Sequence, residues 1–189
     1  MSIRLFNNSG GYIDLNAGGD GTASNTFTLP AETGTVLTTG STFAGTGPAF
    51  SVYLGSQQDI TTSVATKVAL DTVNFDTASC WDNVNYRFTP NVAGYYQLNG
   101  QIYLRSTAAG THAQTYISKN SGTENVAYSL LRYTSGSSTA YGILNCTGLT
   151  YMNGSTDYVE LFGYIVATSP FYTEGLAYTK MSGCLVRAA

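Results

Sequence analysis

The stretch YRFTPNVAGYYQLNGQIYLR, residues 86 to 105, decides the fold class of this chain. From Tyr95 onward, successive side chains alternate between two sets, as they do in a β-strand, where neighbouring residues point to opposite faces. The first set is mostly apolar, which indicates that this face packs against a core. The second set is mostly polar, which indicates that the other face contacts water or a neighbouring molecule. The first set is Tyr96, Leu98, Gly100, Ile102 and Leu104, and the second is Gln97, Asn99, Gln101, Tyr103 and Arg105.

The segment YVELFGYIVA, residues 158 to 167, alternates in the same way, but its second face is too aromatic for a simple wet surface. An exposed aromatic face of this kind indicates a subunit contact or a second packed sheet. Its members are Tyr158, Glu160, Phe162, Tyr164 and Val166.

Turn residues recur every 8 to 12 positions along the chain, which is typical of an all-β sandwich. The Asn-Gly pair at 153 to 154 predicts a tight turn. No segment has a helical period with caps, so we expect almost no helix. The further predicted strands are Phe50–Leu54, Thr66–Leu70, Tyr86–Thr89, Ala113–Lys119, Val126–Tyr133, Thr139–Tyr151 and Gly175–Val186.

The composition of this 189-residue chain argues against several classes of partner. Charged residues make up only 10%, the net charge is −3, and the eight Lys and Arg form no basic run. Because nucleic-acid binding needs clustered cations, we expect no nucleic-acid partner. No stretch approaches the roughly 20 apolar residues of a membrane span, and the N-terminus lacks the apolar core of a secretory signal, so we expect neither membrane insertion nor export by such a signal.

Cys80, Cys146 and Cys184 are an odd set without C-x-x-C spacing. This pattern argues against a disulfide framework and a zinc site. We expect three reduced thiols, most simply buried apolar residues of a protein made in a reducing cytoplasm.

Residues 1 to 40 contain short β-like segments separated by glycine turns, with too few apolar residues to close a core alone. Such a segment is either disordered or intertwined with identical chains, and its regularity favours intertwining. We predict three regions: an attachment or shaft-like segment over 1–40, a linker over 41–47, and a globular head over 48–189.

Within the opening stretch, Phe88, Thr89, Gly94 and Tyr96 resemble the pattern of the globular head of the complement first-component recognition subunit, whose fold is shared with tumour necrosis factor. Three further segments match that family in the same order, although the family usually has Phe where Cys184 stands. They are Ala49-Phe50-Ser51, Val73-Asn74-Phe75-Asp76 and Ser182-Gly183-Cys184-Leu185.

This resemblance implies an antiparallel jelly roll of about ten strands that forms a homotrimer around a three-fold axis. Aromatic strand faces would then lie at the axis. The candidate trimer contacts are Tyr103, Tyr158, Phe162 and Tyr164.

The run TFTLPAETGTVLTTG, residues 26 to 40, resembles a segment of tail-fibre and other appendage proteins of tailed bacteriophages. Vertebrate heads of this fold follow collagen, but this chain has no Gly-X-Y period. The resemblance implies a virion protein assembled in the host cytoplasm, with other virion proteins as partners through residues 1 to 40.

The candidates for chemistry are few. The sole histidine, His112, is interpreted as a residue of a surface loop rather than a general base. Asp71, Asp76 and Asp82 are possible calcium ligands, but turn formation is the favoured interpretation because their spacing fits no calcium loop. Four further carboxylates have no pattern that pairs them for glycoside cleavage, and they are Glu124, Asp157, Glu160 and Glu174.

Receptor recognition is assigned to Trp81, His112 and Tyr133. With Tyr86 and Phe75, Trp81 is a candidate sugar-stacking platform, although a packed aromatic cluster is the simpler interpretation. Loops over residues 106–113, 119–125 and 133–140 are the predicted recognition rim.

The sequence therefore favours a non-enzymatic, cofactor-free phage structural protein, a trimeric fibre or appendage that binds a host-surface receptor by avidity. The first alternative is a capsid decoration or cement trimer that stabilises the shell, which the short length favours. A carbohydrate-binding module and a depolymerase are the remaining alternatives.

Overall fold

The computed structural model describes residues 2–6, 12–16, 47–106, 110–122, 124–133, 140–167, 171–173 and 178–189. The chain divides into two compact units, Met1–Thr38 and Thr39–Ala189. In the first unit, β1 (Ser2–Phe6) and β2 (Tyr12–Asn16) pair antiparallel. The run at 26 to 40 lies outside the described residues, and the predicted domain boundaries stay predictions.

The described part of the second unit contains thirteen strands and one 3₁₀ turn, Asn120–Gly122. No helix among the described residues has the length and apolar character of a membrane span. In chain order the strands are β3 (Ala49–Tyr53), β4 (Gln58–Ile60), β5 (Thr66–Lys67), β6 (Thr72–Asp76), β7 (Trp81–Asp82), β8 (Arg87–Phe88), β9 (Gly94–Ser106), β10 (Gly110–Lys119), β11 (Glu124–Arg132), β12 (Ala140–Met152), β13 (Val159–Ala167), β14 (Phe171–Thr173) and β15 (Lys180–Ala188).

These strands form two antiparallel sheets. The six-stranded sheet has the order β11-β10-β13-β8-β7, with β5 paired to β13. The seven-stranded sheet has the order β4-β14-β9-β15-β3-β6, with β12 paired to β9. The predicted all-β antiparallel jelly roll is confirmed, and β9 covers the alternating stretch that predicted it.

The strand count differs from the prediction of about ten because several short edge segments pair for only two or three residues. For example, β5 covers only Thr66–Lys67 of the predicted strand Thr66–Leu70, although the Val68 amide still donates to the Leu161 carbonyl at 2.9 Å. Beyond it, the Leu70 amide donates to the Val68 carbonyl at 3.0 Å, and this local turn ends the strand. Strands β4, β7 and β14 have only two or three residues and were missed, and so was β6, although its five residues TVNFD alternate between polar and apolar.

The core lies between the sheets, where Phe50 of β3 stacks on Phe88 of β8 with ring centroids 4.1 Å apart. Both side chains are fully buried. Glycine at position 100 allows the sheets to approach closely, because a Cβ there would lie 2.6 Å from the Leu161 Cδ1 atom.

The Asn-Gly turn forms as predicted, since Gly154 has φ +71° and the Asn153 Oδ1 atom accepts the amides of residues 155, 156 and 157. The two residues Asn153 and Gly154 were therefore sufficient to predict this turn.

Candidate functional site

The three predicted receptor residues lie in separate places on the six-stranded sheet. Trp81 of β7 is in register with Phe88 of β8, and Phe88 is in register with Val159 of β13. Val159 is in turn in register with Lys119 at the end of β10. His112 lies seven residues earlier on β10, roughly 23 Å away along the strand direction. Tyr133 is beside His112, because its amide donates to the Thr111 carbonyl at 3.0 Å. The backbones of His112 and Tyr133 are therefore adjacent, but the Tyr133 side chain packs against the core and Trp81 lies apart, so the three side chains do not form one site.

The Trp81 indole is half-buried and stacks on Phe50 with centroids 5.6 Å apart and 18° between the rings. Its Nε1 atom is buried and has no hydrogen-bond partner among the described residues. One face of the ring is therefore part of the core, as the simpler interpretation expected. Phe75 lies on β6 of the other sheet and is 50% exposed, so these two aromatics lie in different sheets.

His112 is in strand β10 rather than in a surface loop, so the loop assignment was wrong. Strand β10 already begins at Gly110, two residues before His112. The register of β10 with β13 shifts between these two residues. The half-buried imidazole lies 5.9 Å from the Tyr164 ring and 3.3 Å from the Thr111 hydroxyl. Burial raises the pKa of Tyr133, which packs against the core.

The three aspartates act in turns. Asp71 accepts the Gly55 amide at 2.7 Å, and Asp76 accepts the Trp81 amide at 2.7 Å. Asp82 accepts the amides of Val84 and Asn85, each at 2.9 Å. Hydrogen bonds from Asn85 lower the pKa of Asp82. Within the described residues, no group of three or more His, Cys, Asp or Glu is arranged to hold a metal ion.

Two of the four remaining carboxylates form ion pairs. Glu160 lies 3.0 Å from the Lys67 Nζ atom and is 3% exposed, and Asp157 lies 3.2 Å from the Lys119 Nζ atom. Burial alone would raise the pKa of Asp157, but hydrogen bonds from Asn120, Asn153 and Lys119 lower it overall. The first ion pair links β5 to β13, and the second links the end of β10 to the turn before β13. Glu124 begins β11 and is exposed, and Glu174 lies outside the described residues.

The thiols of Cys80, Cys146 and Cys184 are all free. The first two are buried, and burial raises the pKa of Cys146 to about 11. Cys184 is exposed, so the expectation that all three are buried was wrong. It occupies an outward position of β15, because its neighbours Gly183 and Leu185 occupy the inward positions.

The four candidate trimer contacts lie on opposite sides of the sandwich. Tyr103 is on the outer face of the seven-stranded sheet, 5.7 Å from the Tyr178 ring. Phe162 and Tyr164 are on the outer face of the six-stranded sheet, and Tyr158 directly precedes β13. The Arg87 guanidinium lies 4.6 Å above the Tyr158 ring, which anchors that ring within its own chain.

The outer face of the seven-stranded sheet is apolar at both ends and polar in the middle. At one end the rings of Tyr95 and Tyr151 meet edge to face at 5.6 Å, beside Leu149, which is 57% exposed. At the other end Ile143 lies opposite Tyr103. A depression of about 190 Å³ occupies the middle, and its outward-facing side chains are Asn99, Gln101, Asn145, Thr147, Lys180 and Ser182.

The outer face of the six-stranded sheet carries a second exposed apolar region. Tyr128, Tyr116 and Phe162 are in register across β11, β10 and β13. The rings of Tyr116 and Phe162 stack with centroids 5.3 Å apart and 4° between their planes. Leu130 and Tyr164 are in the adjacent row. We call these five residues the aromatic strip.

Tyr128 and Leu130, like Leu149 and Ile143, were absent from the candidates drawn from the sequence. The sequence does indicate that these residues face outward, because β11 and β12 alternate and these residues occupy the outward positions. What the sequence lacked was the register that places them beside the candidates on neighbouring strands.

No protein-family model matches this chain, and no curated protein matches its sequence. Several solved structures do match its fold. The globular domain of zebrafish complement 1qA protein has 15% identity and a TM-score of 0.52, covering 76% of this chain and 99% of that one. Murine APRIL has 11% identity and a TM-score of 0.56, with coverages of 74% and 98%.

The Eiger TNF of S. frugiperda has 8% identity and a TM-score of 0.59, with coverages of 76% and 95%. At these identities the likeness establishes the fold. The second unit is therefore a domain with the jelly-roll fold of complement heads and tumour necrosis factor, as the resemblance in the sequence implied.

Proposed function

We propose that this chain is a non-enzymatic structural protein of a tailed-bacteriophage virion, a homotrimeric appendage whose head binds a receptor on the host surface. The resemblance of residues 26 to 40 to appendage proteins supports the virion assignment. The jelly-roll fold of the head supports the trimer, because the family that the sequence resembles is trimeric.

Exposed apolar side chains on the outer face of the seven-stranded sheet carry the trimer part of this proposal. Leu149 and Ile143 are 57% and 53% exposed in the single chain, and Tyr151 is 42% exposed. Clustered apolar groups of this kind mark interaction surfaces, because leaving them in water is unfavourable. We therefore assign the trimer contact to this face.

Tyr103 remains a trimer contact under this assignment, since it lies opposite Ile143. Phe162 and Tyr164 lie on the other outer face, so they are free for a different role. Tyr158 is held within its own chain by Arg87 and by a 2.7 Å hydrogen bond to the Ser121 hydroxyl.

The polar depression between the apolar ends suits the interior of such an assembly. Amide and hydroxyl side chains, which both donate and accept hydrogen bonds, line it together with Lys180, which only donates. Copies facing one another can pair through these groups or through trapped water, which interfaces of this type commonly contain. Orientation between copies then depends on the polar middle, and affinity on the apolar ends.

Receptor binding by this trimer follows from avidity. Three weak sites on one trimer, and several trimers on one particle, raise the effective concentration of each site near the host surface. Residues 1 to 40 attach the trimer to another virion protein, and assembly takes place in the host cytoplasm.

The position on the particle separates the appendage from its main alternative, a capsid decoration or cement trimer. Purified particles labelled on this protein and imaged by electron microscopy give the answer. Label at the tail or on projecting fibres is the expected result, and an even distribution over the capsid faces would refute the appendage.

A further inference from the structure

We propose that the aromatic strip on the six-stranded sheet is a binding site for a neutral oligosaccharide of the host surface. The inference rests on the proposed receptor-binding function and assigns it to a surface. The strip consists of Tyr128, Leu130, Tyr116, Phe162 and Tyr164, on three neighbouring strands.

The strip is exposed without being needed by the fold. Tyr128 and Leu130 are 52% and 40% exposed, although the core of the same sheet is closed by the inward residues Ala127 and Leu131. It also lies on the side of the sandwich opposite the face assigned to the trimer contact, so trimer formation leaves it open.

Hydrogen-bonding groups are interleaved with the apolar ones. Gln114 lies between Leu130 and Tyr164 in the same row, and His112 lies between Arg132 and Val166 in the next. The Gln114 side chain makes no hydrogen bond within the described residues, so its amide is available to a ligand. Pyranose rings present CH groups on their faces and hydroxyls at their edges, and this mixture of rings and amides matches both.

The rings of Tyr116 and Phe162 are held in place before any ligand arrives, because they stack on each other across the strands. The Tyr116 hydroxyl, like any tyrosine hydroxyl near neutral pH, is protonated and able to donate a hydrogen bond, and burial raises its pKa further. A pre-positioned site loses less side-chain entropy on binding.

The size of the strip favours a sugar over a protein. Three strands about 4.8 Å apart and two to three rows of side chains about 6.8 Å apart cover about 200 to 300 Å². A stable protein interface covers about 800 Å² on each partner. A few sugar units fit the smaller area, and weak binding at each site suits a trimer that acts by avidity.

The test uses the full chain and a panel of neutral tetrasaccharides built from hexoses, hexosamines and deoxyhexoses, with affinities from calorimetry. Binding in the millimolar range is expected. Tyr128→Ala and Leu130→Ala should each weaken it about tenfold, whereas Tyr128→Phe, which keeps the ring, should leave it nearly unchanged. Val84→Ala is the control, since that side chain is 83% exposed and lies outside the strip.

Absence of binding to every tetrasaccharide would overturn the inference, and so would equal binding by wild type and Tyr128→Ala. Capture of a host protein that depends on Tyr128, without sugar binding, would likewise refute it. Light scattering on the same samples separates the two proposals. A trimer without sugar binding contradicts only the inference, and a monomer whose sugar binding depends on Tyr128 contradicts only the trimer.

Discussion

Replacement of Leu149 by alanine tests the assignment of the trimer contact to the seven-stranded sheet. Leu149 lies on the outer face of β12, opposite Gln97 of β9. Because the side chain is 57% exposed in the single chain, its loss removes little from the core of one head. In the proposed trimer the same side chain is buried against a second copy, so the substitution should weaken assembly and leave the fold intact.

The size of the effect follows from the area that assembly would bury. Leucine has three more carbon atoms than alanine, and each buried CH₂ contributes about 0.8 kcal/mol. Since 57% of Leu149 is still exposed before assembly, the loss is roughly 1.4 kcal/mol per protomer. Three protomers give about 4 kcal/mol, which lowers the association constant of the trimer by about 10³.

Sedimentation equilibrium over a series of protein concentrations measures that constant, and far-ultraviolet circular dichroism checks the fold. Leu130→Ala is the matched control, because it makes the same chemical change on the opposite outer face. The expected result is weaker assembly for Leu149→Ala and unchanged assembly for Leu130→Ala. Equal assembly by both variants, or weaker assembly by Leu130→Ala alone, would refute the assignment.

Three further predictions concern the stability of the head. Removal of the residues before Pro48 should leave a folded trimer by light scattering and circular dichroism, whereas an unfolded product would place the boundary elsewhere. Phe88→Ala should lower the free energy of unfolding by about 3 to 5 kcal/mol in urea titrations, because the ring is fully buried; a loss under about 1 kcal/mol would contradict the packing. Asp157 has a lowered pKa in the fold, so it stabilises the head above its unfolded pKa of about 3.9 and loses this effect as the pH falls through the folded value. Asp157→Asn should therefore be less stable at pH 7 and closer to wild type at pH 2, and an equal difference at both pH values would contradict the role of the carboxylate.

Much of the fold was predictable because the long strands carry strict alternation. Strand β9 was recognised to within one residue at each end, and β13 likewise, since their inward positions are apolar throughout. Short strands such as β4 and β7 were missed, because two or three residues are too few to show a period.

The surfaces were less predictable than the fold, because a surface depends on which strands are neighbours. Alternation gave Tyr103 and Phe162 as outward residues, but both were assigned to one contact. The two strands belong to different sheets, so these residues lie on opposite outer faces. Tyr128 joins Phe162 only through the register of β11 with β10 and of β10 with β13, and no local pattern in the sequence encodes that register.

Local sequence signals identified the turn aspartates correctly but misplaced His112. Asp76 and Asp82 were favoured as turn formers, and their carboxylates accept amides of the turns that follow them. His112 was misplaced because the small residues around it resemble a loop, whereas pairing with β11 and β13 on both sides makes the segment a strand. Tertiary pairing therefore overrode the local signal.

The mass of the purified full chain in solution tests the central claim most directly. Light scattering coupled to size exclusion should give about three times the chain mass of 20.0 kDa, unchanged as the sample is diluted through the micromolar range. A mass of one chain at every concentration would contradict the trimer, and with it the assignment of the seven-stranded face and the avidity on which the proposed function depends.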